Sequence, residues 1–189
     1  MRRREFLGAL GVAAAWPLAG SAQPSGSTAR VAILIAGKAT DLDLQGRITG
    51  LKQGLERLGW KDGGNIQLDI RYGEGRPGRF QPLAQELVAL RPNVIVAQTP
   101  PVVAAVRRVT RDIPIVFVDV SDPITPGFIE TVARPGGNVT GMLSFEAGVV
   151  GKWLAMLKEI APGLSRVMML GNSKTTAFDY FKRAAESAA

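Results

Sequence analysis

A parallel, doubly wound α/β sheet over residues 30–141, followed by an incomplete second α/β lobe, is the architecture that this sequence predicts, and three observations predict it. Short apolar runs rich in β-branched residues recur as VAILIA (31–36), VIVA (94–97) and IVFV (115–118). Each is nearly continuous, as strands covered on both faces are. Between them lie segments whose apolar residues repeat at helical spacing and are long enough for crossovers. The runs end in Gly37, Thr99-Pro100 and Asp122-Pro123, so the chain leaves the sheet through loops along one edge.

Taken in order, residues 1–22 (MRRREFLGALGVAAAWPLAGSA) have a basic start, a moderately apolar centre and small residues before Gln23. The apolar run is short, contains Gly and is broken by Pro17, which makes it a secretory signal rather than a membrane span. Cleavage after Ala22 places Gly20 and Ala22 at the two positions that require small side chains. Arg3-Arg4-Glu5-Phe6-Leu7 is similar to a twin-arginine export signal. A general secretory signal with consecutive arginines is the alternative, and both lead out of the cytoplasm. Residues 23–29 are small and polar, a flexible lead-in.

A buried strand over 30–36 opens the lobe and runs into the loop Gly37-Lys38. Leu44, Ile48, Leu51, Leu55 and Leu58 then repeat at helical spacing up to Gly59, a C-terminal cap. Residues 65–72 alternate, with Ile66, Leu68 and Ile70 on one side, as a half-covered strand nearer an edge would. After the Gly-rich loop 73–78, a helix starting near Arg79 repeats Phe80, Leu83, Leu87 and Leu90, with Pro82 tolerable in its first turn. Val94–Ala97 is a short strand. Thr99 is placed to cap the helix that Pro100 and Pro101 open and that runs through Val109.

The next strand runs from Ile115 to Asp119 and breaks at Ser121-Asp122-Pro123. A short apolar segment, 126–133, leads to Arg134-Pro135-Gly136-Gly137-Asn138, a tight turn by composition, and the chain leaves through Val139-Thr140-Gly141. Beyond it, 142–148 reads as a linker and 149–160 as an amphipathic helix carrying Trp153, Met156, Leu157 and Ile160. Residues 165–170 read as a strand, and the rest, from Thr176, as a helix.

Composition narrows the function classes. The chain has no His and no Cys, which excludes thiolate and imidazole zinc sites, Ser-His and Cys-His catalysis, disulfides and a lipidated cysteine. The net charge of +7 falls to +5 once the three Arg and one Glu of the signal segment are removed. Arg107, Arg108 and Arg111 form a short cluster with no interleaved aromatics. A solvated helix face explains it better than a phosphate-binding patch, so nucleic acid is not expected as a partner.

The order Thr99-Pro100, Ile113 to Phe117, Asp122-Pro123 and Ala133 to Gly141 (ARPGGNVTG), joined upstream by Leu58-Gly59-Trp60 and Arg71-Tyr72, resembles the substrate-binding proteins of bacterial ABC importers. Within that family the likeness is to the tryptophan- and tyrosine-binding type, and it spans nearly the whole mature chain. It implies a periplasmic-binding-protein type I lobe, the first half of a two-lobed clamp that binds a small molecule between lobes without chemistry. A membrane permease would be the partner. The product would be exported, soluble and periplasmic, with no lipid anchor and no stable membrane insertion, and with no catalytic residue, metal or cofactor.

Ligands of open α/β sheets bind at the carboxyl ends of the strands. Gln98 and Thr99, Ser121 and Asp122, and Gly37 all belong to that edge, and Asn172 and Ser173 would face them from the second lobe. An amino acid suits this set. Its carboxylate would lie at the start of the helix that Thr99 opens, and its ammonium would pair with Asp122 or Asp119. Thr99 as a plain cap and Asp122 as a turn residue are the alternatives. Lys38 reads as a solvated charge.

A metal-dependent enzyme built on Asp119 and Asp122 is a competing reading. So is a truncated, non-functional copy of a binding protein, since the single strand 165–170 lacks sheet neighbours and its flanking helices would leave apolar faces uncovered.

Overall fold

The computed structural model describes residues 28–171 and 178–188. The signal segment, Asn172 and Ser173 lie outside the described residues. Strands β1 (Ala29–Ile35), β2 (Ile66–Tyr72), β3 (Val94–Gln98), β4 (Ile115–Val120) and β5 (Val139–Leu143) form one sheet in the order β2-β1-β3-β4-β5. Every pairing is parallel. Helices α1 (Leu42–Arg57), α2 (Phe80–Ala89) and α3 (Pro100–Val109) make the crossovers, with a short 3-10 turn at Pro77–Arg79 leading into α2.

The alternation of side chains along β1 shows why the sheet is wound on both faces. Ala32 and Leu34 join a core with Leu87 of α2 and Val102 and Val106 of α3, whereas Ile33 and Ile35 join Leu44 of α1 in a second cluster. Full burial of one such aliphatic side chain contributes about 1.5–3 kcal/mol. The first cluster carries Phe117, Leu34, Leu87, Ile95 and Ile115 at under 2% exposure, and so dominates.

Local signals set the helix ends. Asp41 caps α1 by accepting from the amides of Asp43 and Leu44, and Gly59 takes φ +86 just past its end. Leu58, in line with the apolar face of α1, is exposed.

Three elements differ from the sequence expectation. The exit at Val139–Gly141 is a fifth parallel strand that continues to Leu143, into the stretch expected to be linker. It reads poorly as a strand because only Val139 is buried and Gly141 interrupts it. Residues 165–170, expected as a strand, take no regular structure, and Met168 and Leu170 are almost fully exposed. Without a neighbouring edge to pair with, an apolar run has no ladder to join.

The third difference is Arg107. It does not belong to a solvated face: its guanidinium lies over the Phe128 ring and donates to the Gly127 carbonyl. Burial, with Arg111 nearby, holds its pKa below the usual Arg value. This contact ties α3 to the long connection between β4 and β5, whose Phe128 and Ile129 are buried in the main core.

Beyond the sheet, α4 (Gly148–Ile160) packs on α5 (Phe178–Ala188), and the Ala147 amide donates to the Tyr180 hydroxyl at 3.0 Å. The expected apolar stripe of α4 is largely uncovered, with Trp153, Met156, Leu157 and Ile160 all exposed.

At Gly141 the strand β5 lies so close to β4 that an added Cβ would overlap the Phe117 carbonyl and ring. Gly141→Ala is expected to lower unfolding stability by about 1–3 kcal/mol, the usual cost of overpacking. Urea denaturation measures it, and an unchanged midpoint would mean that β5 pairs more loosely than described.

Candidate functional site

The strand order reverses between β1 and β3, and the crevice at such a switch point is where open α/β sheets bind ligands. Gln98, the last residue of β3, spans this point. Its Oε1 accepts from the Ala36 amide at 3.2 Å, and its Nε2 donates to Asp119 Oδ2 at 3.1 Å. Gln98 is buried, and its two bonds fix how the ends of β1, β3 and β4 sit together.

Asp119 is the centre of this edge. The β4–β5 register passes from Phe117↔Gly141 to Val120↔Leu143, so β4 carries one residue more than β5 between those pairs. Such a bulge re-aims a side chain. Asp119 absorbs it at φ +60, a left-handed conformation that Asp tolerates better than branched residues do. Its carboxylate accepts from Arg47 (3.0 Å, α1), Gln98 (3.1 Å, β3) and Ser144 Oγ (3.3 Å, just after β5). Arg47 also pairs with Asp43 at 2.8 Å.

Thr99 follows Gln98 at φ 73. It holds the capping position of α3, yet its hydroxyl makes no capping bond. Thr99 Oγ1 is buried and has no partner among the described residues. A buried hydroxyl left unpaired costs about 1–3 kcal/mol, and strained, unpaired positions concentrate at functional sites. Because Pro100 and Pro101 carry no N–H, the first turn of α3 offers fewer amide donors than the sequence reading assumes.

Thr99 and Asp119 line one cleft of about 1070 Å³. Thr99, Asp119, Ser121 and Ser144 supply polar groups from the sheet edge, and α4, α5 and residues 164–171 supply a mostly apolar wall. Phe145, just after β5, and Trp153 of α4 also line the cleft and meet edge to face at 6.3 Å between ring centres. A polar floor opposed by aromatic and aliphatic side chains is the pattern of a small-molecule site.

The expected site residues are therefore distributed unevenly. Thr99 and Ser121 line the cleft, while Gln98 stands behind it as the support of Asp119. Gly37 does not line the cleft, and a side chain there would overlap Leu44. Asp122 is outside the lining as well. Its Oδ1 accepts from the amides of Ile124 (3.2 Å) and Thr125 (3.0 Å), closing its own turn. The two carboxylates of the enzyme reading thus serve different partners, Asp119 taking Arg47, Gln98 and Ser144 and Asp122 taking its own loop.

Arg47 and Ser144 are absent from the sequence-based site. Arg47 resembles any surface residue paired four positions along a helix, and Ser144 lies in the stretch expected to be linker. A polar residue directly after a Gly-containing strand was the one available signal.

Residues 30–188 match the family of ABC transporter substrate binding proteins, and the chain belongs to that family. A tyrosine-binding protein of Clostridioides difficile is 30% identical over 124 residues, which is 66% of this chain and 35% of that protein. A conserved domain protein from Vibrio cholerae superposes with a TM-score of 0.78 at 27% identity, over 86% of this chain and 54% of the other. A Streptococcus pneumoniae ABC domain in complex with L-Trp gives 0.74 at 26% identity, over 86% and 55%. The chain thus spans about half the length of these solved relatives. The resemblance read from the Pro-Gly-Gly-Asn turn and its neighbours is borne out, and the family is one of solute-binding proteins rather than enzymes.

Proposed function

We propose that this chain carries the first-lobe half of the ligand site of an extracytoplasmic receptor that delivers an amino acid or similar small molecule to an ABC permease. The observation that carries the reading is the buried Thr99 hydroxyl at the start of α3, which has no partner among the described residues and lies on the floor of a cleft at the carboxyl edge of the sheet. Thr99 Oγ1 and Ser121 would hold the ligand carboxylate, and Asp119 its ammonium. Asp122, bonded to its own turn, shapes the loop instead. Asn172 and Ser173 remain proposed contacts from the second lobe. The bulk of the ligand would rest on Phe145 and Trp153. This assignment is supported by the relatives named for tyrosine binding and for an L-Trp complex.

Export follows from the N-terminal segment: cleavage after Ala22 should leave Gln23 first on extracytoplasmic protein, read by N-terminal sequencing. Replacing Arg3 and Arg4 by Lys should block export by the twin-arginine route, and export at the unaltered rate would assign the general route. Intact Met1 on cytoplasmic protein would overturn the export proposal.

Thr99→Val keeps the shape and branching of the side chain and removes only the hydroxyl. Affinity for an amino-acid ligand should fall about ten-fold or more, because hydrogen bonds to charged groups contribute about 1.5–3 kcal/mol. The melting temperature should stay level or rise, since no intramolecular bond is lost. Calorimetry and thermal unfolding read the two effects, and lowered stability with unchanged affinity would make Thr99 a plain cap.

A further inference from the structure

We propose that Arg47 sets how readily the cleft accepts a ligand ammonium, by competing with that ammonium for Asp119. The inference rests on the proposed function and adds a residue that determines specificity from outside the cleft lining. Asp119 is the acidic group at the sheet-edge floor of the cleft, and its Oδ2 is held by Arg47 Nη1 at 3.0 Å and by Gln98 Nε2 at 3.1 Å. Its Oδ1 receives Ser144 Oγ at 3.3 Å. A ligand ammonium reaching this carboxylate therefore meets a guanidinium already within hydrogen-bond distance of it. The like charges repel most strongly at such separations and where water is partly excluded.

The arrangement also makes the competitor removable. Arg47 is about half exposed, and its Nε holds Asp43 of the same helix at 2.8 Å. Displacement from Asp119 thus costs one of two ion pairs, and the second still holds the guanidinium at the surface of α1. Asp43, with its side chain 69% exposed, is screened by water, whereas Asp119, 32% exposed, is not screened to the same degree. The geometry also gives Asp119 a reason for its left-handed backbone: the bulge puts one carboxylate within reach of donors from α1, β3 and the segment after β5. Gln98 and Ser144 are neutral, so they orient the carboxylate without repelling a cation. Arg47 is the charged member of the set, and removing it alters the electrostatics while leaving two of the three bonds that hold Asp119.

A ligand without an ammonium does not use Asp119 and is indifferent to this competition. The consequence is a selectivity, readable as a ratio of affinities, that a purely structural ion pair would not move.

The test is calorimetry with L-tryptophan and L-tyrosine beside their des-amino counterparts, indole-3-propionate and 3-(4-hydroxyphenyl)propionate, on the exported protein and its Arg47→Gln and Arg47→Lys variants. Arg47→Gln should raise affinity for the amino acids, relative to the des-amino acids, by about ten-fold, the scale expected when one close like charge is removed. Arg47→Lys, which keeps the charge, should stay near the parent ratio. An unchanged ratio in Arg47→Gln, or a weaker hold on the amino acids, would overturn the proposal. If the des-amino acids bind while neither amino acid binds any variant, Asp119 is no ammonium receptor; the inference fails and solute binding stands. If none of the four binds any variant, the inference falls together with the proposed function. Circular dichroism of the variants guards against misfolding, which a half-exposed helix position makes a minor risk.

Discussion

One residue too many in β4 organises the carboxyl edge of this sheet. Phe117 faces Gly141 and Val120 faces Leu143, and the extra residue between those pairs is absorbed where Asp119 turns to a positive φ. Without that slip, the alternation of a parallel strand would leave residue 119 as one more side chain against a sheet face. With it, the carboxylate meets groups from α1, from the end of β3 and from the segment after β5. The slip in turn needs β5 to approach closely, which a side chain at Gly141 would prevent. Sheet packing and site geometry are thus the same constraint seen from two sides.

Much of this architecture is legible in the sequence because the governing signals are local. Continuous β-branched runs mark β1, β3 and β4, and helical periodicity between them marks α1, α2 and α3 within a residue or two of their observed ends. Thr99 is legible as a special position because two prolines follow it. The idle hydroxyl is not, because any Thr before a helix predicts a cap. β5 is hidden because an edge strand with a single buried residue has no periodicity to read. The run 165–170 misleads in the opposite direction: Val167, Met168, Met169 and Leu170 have strand composition, but pairing depends on a neighbour that composition does not report.

The site residues divide along the same line. Gln98, Thr99 and Ser121 follow from strand-end placement together with the family resemblance. Asp122 attracts attention as the acidic residue of an Asp-Pro turn, and two loop amides donate to its Oδ1. Asp119 looks like an interruption of an apolar run and becomes the hub only once the register is known. Arg47 is 72 positions away from it, a separation at which charge complementarity cannot be read without the fold. Neutral Gln98 ties the two halves of the edge together, and amide side chains carry no sequence signature for such a role.

The central claim is that this edge, and not another surface of the lobe, receives a small solute. Hydrogen–deuterium exchange of the purified protein is the most direct measurement, compared with and without the amino acid that best protects it in a thermal screen. Slower exchange should appear at Thr99, at residues 118–122 and at Ser144 and Phe145, because bound solute would shield those amides and stiffen the bulge. Protection confined to the outer groove that Pro77, Phe80, Pro101 and Arg108 line, with the strand ends unchanged, would contradict the account.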